Sequence, residues 1–385
     1  MVRNVLFVLV LFASCQQATK KEAPVAESSG VAADSVSGRS AIKYAHSFSI
    51  DYYDHYKLLR VFNKLSGKTD TLQYLLVQRG TPVPAGYPHA QVISIPVKTI
   101  IGMSSMHIAL ADFAGVADRI TGLGSLQYVT SPDVRRNIKA GKISQVGLDG
   151  NMNNEMILTM HPDVLMDMGN PDASFGRYKT LTDAGVPVLL NVEWLETSPL
   201  GRAEWVKVMG ALVNKEAFVN KKFDSLASAY EKLAQQARQT AVKPSVIIGM
   251  PYKGSWFVPA GESYMAQFLR DAGASYRWLD SKGVGSLSLN FESVAPEALM
   301  ADYWLNVGYV DTKADIVAKD QRYGSFKPFK TGHVYNYNKL VNDIGSNDYW
   351  ESGAVNPQVV LADLIRILHP ELLPDHSLVY YKQLN

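Results

Sequence analysis

Between residues 96 and 197 the apolar positions fall into short runs of two kinds that take turns. "VKTIIG", "DRITGLG", "PDVLMDMG" and "VPVLLN" are compact apolar runs that read as buried strands. "HIALADFAGV", "NEMILTM" and "YKTLTDAG" space their apolar residues at helical period. Strands that alternate with helices of this length imply crossover units and a mainly parallel sheet. The same texture returns from Lys243: "PSVIIGM", "DYWLNVG" and "HVYNYN" as strands, "YMAQFLRDAG", "FESVAPEALM" and "PQVVLADLIRIL" as helices. The pattern predicts two α/β lobes, residues 41–197 and 241–385.

Between them, residues 198–240 offer Ser198 as an N-cap and Pro199 at the first helical position. Trp205, Met209 and Leu212, then Leu226, Tyr230 and Leu233, follow at helical spacing, with Gly210 and Asn214 as the points where a helix bends or breaks. One nearly continuous connecting helix of about 40 residues would be a rod of roughly 60 Å. A rod lying across both lobes would restrict their opening, because a hinge needs residues free to change φ and ψ. At the start of the first lobe, "YAHSFSIDYY", "YKLLRVFNK" and "TLQYLLVQRG" are β-like runs ending in Pro and Gly turns, extra strands or hairpins at its margin. Residues 16–40, rich in Ala, Ser, Lys and Glu without apolar period, read as a flexible tether.

Residues 1–15 put Arg3 ahead of an apolar run, then Ala13, Ser14 and the chain's one cysteine, Cys15. The run falls short of the roughly 20 residues that span a bilayer and matches a secretory signal peptide. A cysteine after a small pair resembles the lipobox of bacterial lipoproteins, whose thiol is lipidated, although Phe12 stands where that motif usually has Leu. The expectation is an exported protein, lipid-anchored to a membrane on the periplasmic or cell-envelope face. With no second cysteine for a disulfide, its core must hold it, and 385 residues suffice for that.

Lys plus Arg number 38 against 36 Asp plus Glu, so no net field draws the chain to nucleic acid. There is no phosphate loop, nucleophile elbow or His-Glu-x-x-His zinc helix. His369 and His376 read as a solvated C-terminal turn rather than a metal site. No metal and no cofactor is expected. A secreted α/β enzyme whose active site assembles only in space is the alternative of another class, and a surface lipoprotein that captures ligand without a permease is a third.

Two stretches echo each other. In "NNEMILTMHPDVLM" and "LNFESVAPEALMADYWLNV" a glutamate precedes an apolar segment that runs into an aspartate and a hydrophobic strand. Together with two lobes, a connecting helix and a lipoprotein-like start, this resembles the class III substrate-binding proteins of ABC importers, over roughly residues 92–373. The resemblance implies two Rossmann-like lobes with a ligand cleft between them, in a monomer that delivers its ligand to a permease dimer with its ATPase. It implies a chelated metal, a ferric siderophore or haem, as ligand, with cobalamin or another corrinoid as the alternative. The family's two permease-docking glutamates fall on Glu155 and Glu292. In the second copy Ala301-Asp302 replaces Pro-Asp at a longer interval, which leaves Glu297 as a rival. Each docking pair, exposed, would contribute about 0–1 kcal/mol, enough to register a complex without locking it. The plainer reading of Glu155 is an acid favoured by a helix dipole.

Open parallel sheets bind ligands beyond the carboxyl ends of their strands. The loops there carry Ser104, Ser105 and His107, then Tyr128, Trp194, Tyr252, Trp256, Phe257 and Tyr309, while "NDIGSNDYWES" adds Tyr349 and Trp350. Trp256 and Phe257, in a Gly/Pro-rich loop, either stack on a flat ligand or plug the second lobe. Trp304, inside a strand, reads as core. A ferric catecholate would want converging cations, for which only Lys253 and Arg322 offer themselves; haem would want an axial Tyr or His; a corrinoid would want aromatic walls and neutral hydrogen-bonding groups. All three stay open.

Overall fold

Five short parallel strands make the first sheet, in the spatial order Ser144–Gln145, Ile120–Leu123, Ile100–Gly102, Val164–Asp167, Val188–Leu190. Every residue of the last two and of Ile100–Gly102 is buried, because helices cover both faces of such a sheet. The strand order reverses at Ile100–Gly102, so the loops leaving it and Val164–Asp167 diverge and open a crevice at their carboxyl ends. The computed structural model describes residues 38–65, 68–148, 150–169 and 175–385. The signal peptide, Cys15 and the tether up to residue 37 lie outside the described residues.

The second sheet sets Val246–Ile248, Tyr303–Leu305 and Val334–Asn336 in parallel, with Lys382–Gln383 antiparallel at the edge. A small antiparallel sheet, Pro251–Tyr252, Ser255–Pro259 and Ser286–Leu289, accompanies it. The early β-like runs form a four-stranded sheet of Phe48–Tyr52, Tyr56–Leu65, Lys68–Gln78 and Gln91–Ile95. Its alternate residues Phe48, Ile50, Leu59, Val61, Tyr74 and Leu76 join the main core.

The connecting segment differs from one rod. It is three helices, Pro199–Ala203, Val206–Val213 and Glu216–Arg238. Ser198 caps the first, its Oγ accepting from the Gly201 N–H at 3.0 Å. All eight residues of the second are buried, so it is core rather than a strut. Asn214 ends it in the left-handed region at φ 57°, a conformation Asn tolerates better than most residues. Gly210 breaks nothing. A Cβ there would stand 3.2 Å from Val219 of the next helix, so glycine lets the two helices pack closely. The remaining rod of 23 residues is roughly 35 Å long.

Candidate functional site

A cavity of about 430 Å³ lies where loops from both sheets meet. Ser105 and Tyr128 reach it from the carboxyl ends of the first sheet's strands, Tyr309 and Tyr337 from those of the second, and Trp350 from the segment beyond. Tyr309 is fully exposed, Tyr128 is 56% exposed and Trp350 41%. Tyr349 is buried behind them, stacked on Tyr337 at 4.7 Å and edge-on to Trp350 at 5.0 Å, so it braces the wall. The Ser105 Oγ comes to 3.5 Å from the Trp350 carbonyl. Tyr337 escaped the sequence reading, although it is the first residue past the strand Val334–Asn336.

None of the described residues lining this cavity is Lys or Arg; its two acids are Asp311 and Glu351. Asp311 is held by Lys382 at 2.9 Å and by Asn338 at 2.8 Å. Glu351 accepts the backbone N–H groups of Thr130 at 3.0 Å and Ser131 at 2.6 Å. The surface left for a ligand is therefore aromatic and amide-like.

The other expected ligand residues lie elsewhere. Ser104 caps the helix Ser105–Phe113, its Oγ accepting from the Met106 N–H at 3.2 Å while its own N–H donates to His107 Nδ1 at 3.2 Å. His107 is buried, and burial pushes its pKa down to about 3. Trp194 is half-buried and donates to the Met168 carbonyl at 3.1 Å. Tyr252 and Phe257 are exposed on the small antiparallel sheet, away from this cavity.

Trp256 is a correction. It is fully buried, donates from Nε1 to the Ile248 carbonyl at 2.9 Å and packs against Trp304, Phe326 and Phe291 at 6.2–6.3 Å. The segment that reads as a loop is the strand Ser255–Pro259, whose alternation turns Trp256 inward and Phe257 outward. Arg322 lies 3.9 Å over the Phe291 ring and is bound to Asp320 at 2.7 Å, and Lys253 lies over Tyr252, so neither converges on the cavity. His369 is buried rather than solvated, and His376 Nε2 lies 2.7 Å from Asp363. Sequence reasoning also missed Arg202 and Glu193, 3.5 Å apart, the glutamate buried and the arginine partly so, with the guanidinium 4.8 Å from the centre of the Tyr264 ring. Burial pushes the Glu193 carboxyl up and Arg202 opposes it.

The repeated sequence is a repeated structure. Asn153 caps the helix Asn154–Met160, its Oδ1 accepting from Met156 N–H at 3.0 Å, and Asn290 caps Phe291–Met300 through Ser293 N–H at 2.8 Å. Glu155 and Glu292 are both the second residue of their helix, both exposed, and neither has an ion pair among the described residues. Glu297 instead meets Arg277 at 3.3 Å. Beyond each helix, the aspartate ties down the start of the neighbouring parallel strand. Asp163 accepts from Lys98 N–H at 2.6 Å and Thr99 N–H at 3.3 Å before Ile100–Gly102; Asp302 accepts from Ser245 N–H and Oγ, both at 2.8 Å, before Val246–Ile248.

Two α/β halves with a cleft at their strand ends define a solute-binding fold, and comparison with known proteins places it. The chain belongs to the periplasmic binding protein family, whose model matches residues 106–340. Two uncharacterised lipoproteins of Methanocaldococcus jannaschii are similar to it. One is 27% identical over 373 residues, 89% of this chain and 85% of the relative; the other is 23% identical over 394 residues, 97% and 96%. Among solved structures, a periplasmic binding protein from Veillonella parvula matches with TM-score 0.56 at 14% identity, over 81% of this chain and 98% of that one. A possible iron-binding solute-binding protein from Staphylococcus epidermidis gives 0.55 at 16%, over 71% and 99%. The haem complex of IsdE from S. aureus gives 0.53 at 19%, over 70% and 98%. These likenesses establish the fold. No helix among the described residues is long and apolar enough to cross a membrane.

Proposed function

We propose that this protein is the lipid-anchored substrate-binding component of an ABC importer, and that its cleft takes an uncharged metal chelate. The observation that carries the reading is the cavity wall: Tyr128, Tyr309, Tyr337 and Trp350 with no Lys or Arg among the described lining residues. An anionic ferric catecholate, or the propionates of haem, would be held best by charge-assisted hydrogen bonds from cations, and the wall offers none. An uncharged ferric chelate instead finds aromatic faces and the Asn338 and Asn347 amides. A corrinoid suits the same chemistry but is larger, and would require the cleft to widen. The haem-binding and iron-binding neighbours lend support to a metal chelate as the class.

Glu155 and Glu292, exposed, without an ion pair among the described residues and alike in position, are the permease-docking pair in this reading, and Cys15 carries the anchor. The enzyme reading finds little support in the cavity, because Glu351 is committed to two backbone N–H groups and Asp311 to Lys382.

The test is a tryptophan-fluorescence titration of the purified chain with an uncharged ferric hydroxamate, a ferric catecholate, haemin and cyanocobalamin. Saturable quenching by the ferric hydroxamate is expected, and Trp350→Phe should abolish most of it, since Trp350 alone of the described tryptophans lines the cavity. Saturation by the catecholate or haemin alone would overturn the uncharged-ligand reading.

A further inference from the structure

Glu351 stands between two cavities. On one side is the aromatic cleft; on the other is a second cavity of about 440 Å³ bordered by Asp112, Lys222 and Asp348. The segment that carries it leaves the second-sheet strand Val334–Asn336 and crosses to the loop before the first-lobe helix Pro132–Lys139. There it makes a row of hydrogen bonds. Asn342 Nδ2 donates to the Val129 carbonyl at 2.9 Å, Ser346 Oγ to the Gln127 carbonyl at 2.6 Å, and Thr130 Oγ1 to Asp348 at 2.6 Å. Arg135 meets Asp343 at 2.7 Å. In the middle of this row the Glu351 carboxyl, 2% exposed, takes the Thr130 and Ser131 N–H groups. Trp350, the cleft's aromatic wall, is its immediate neighbour.

We propose that Glu351 is a positioning residue, fastening the crossing segment to the first lobe so that Trp350 faces the cleft, and that its ionisation sets how readily the segment lets go. Burial of a carboxylate costs more than two backbone donors return, and Asp348 adds repulsion. The carboxyl is accordingly pushed up to about 7 from its ordinary 4.5, burial being the largest cause and the bonds from Thr130 and Ser131 opposing it. The fastened form therefore binds the proton more tightly than the released form. Its advantage is full below pH 4.5 and is lost as pH rises through 7.

Other groups around the carboxyl are the alternatives to exclude. Asp112, on the helix Ser105–Phe113, is itself pushed up by burial, with Lys222 of the helix Glu216–Arg238 opposing. Asp133 and Arg135 lie in the helix Pro132–Lys139, and Tyr380 reaches Ser352 at 2.9 Å. Arg202 lies on the helix Pro199–Ala203, which packs against Ser352–Val355. On the cleft side are Tyr128, Tyr309, Tyr337 and Asp311.

The experiment measures the segment directly, in the full chain with Cys15→Ser and spin labels at Asp118→Cys and Ile344→Cys, both exposed positions. Pulsed electron resonance is expected to show a second, longer distance whose ratio to the first rises about tenfold from pH 6 to pH 8. Glu351→Gln, whose one carbonyl oxygen can accept only one of the two N–H groups, should give a distribution that is the same at pH 6 and pH 8, and Asp112→Asn should leave the response intact. No change in the parent, an unchanged response in Glu351→Gln, or loss of the response in Asp112→Asn would each overturn the proposal. The consequence for ligand rests on the cleft reading above: the dissociation constant for the ferric hydroxamate should rise with the released population, and in Glu351→Gln it should not. Because the distance measurement needs no ligand, a chain that shows the switch but binds no chelate would refute the ligand reading and leave the switch standing.

Discussion

His107 shows how one buried side chain can be both structural and acid-sensitive. Its Nδ1 accepts the Ser104 N–H, which places the proton of the neutral ring on Nε2, and burial holds its pKa near 3 against an ordinary 6.5. The unfolded chain therefore takes up the proton first as pH falls. Stability from this group is complete above about pH 6.5 and drains away towards pH 3, amounting to about 2–3 kcal/mol by pH 4.5. Urea denaturation at pH 7 and 4.5 should show that much less acid loss in His107→Gln than in the parent. Equal losses would show that another group governs the acid limb. At this scale the sequence named His107, Ser105, Tyr128 and Tyr309 in strand-end loops and Trp350 in a separate polar stretch, and the last four do share one cavity. It could not tell Trp256 from Phe257, since a loop reading gives no alternation and only strand pairing with Ser286–Leu289 sets which ring turns in.

Helices and strands were the most legible elements, because their apolar spacing is set by burial that the neighbouring chain must supply. The Ser198 cap was legible too, whereas the caps of the two repeated helices appear only in the structure. Asn153 and Asn290 each satisfy an N–H that the first turn cannot, so Asn153→Ala and Asn290→Ala should each cost about 1 kcal/mol in chemical denaturation. Loss in only one of the two would break the equivalence of the repeats. The connecting segment was less legible. Asn214 is one of two residues at which the sequence predicts a break, and its left-handed conformation ends Val206–Val213, but that all eight of those residues are buried was not legible in their spacing. Lys207 is buried there with its ammonium 2.8 Å from Glu204.

For the whole molecule, the two glutamates are a pair in the docking proposal, one for each permease subunit. If each meets a permease subunit, Glu155→Lys and Glu292→Lys should each lower uptake in a reconstituted importer and the double change should abolish it, while ligand affinity in solution stays within about twofold. Uptake that survives the double change would remove both residues from docking. Glu297 is the poorer candidate because Arg277 already engages it. The intervals differ between the two copies in sequence, yet helix position, cap and aspartate anchor coincide.

The chain's own order of residues determined the alternation of strand and helix, hence two parallel-sheet halves, their caps, and the loops at which a ligand can lie. Those follow from local spacing and from chain connectivity. Tertiary structure alone decided which aromatic rings face the cleft, that the cavity wall lacks a cation among its described residues, and that Glu351 is buried across the junction from Thr130 and Ser131. Each of these depends on residues that are some 200 positions apart in sequence, and desolvation and side-chain pairing arise only when folding brings such residues into contact.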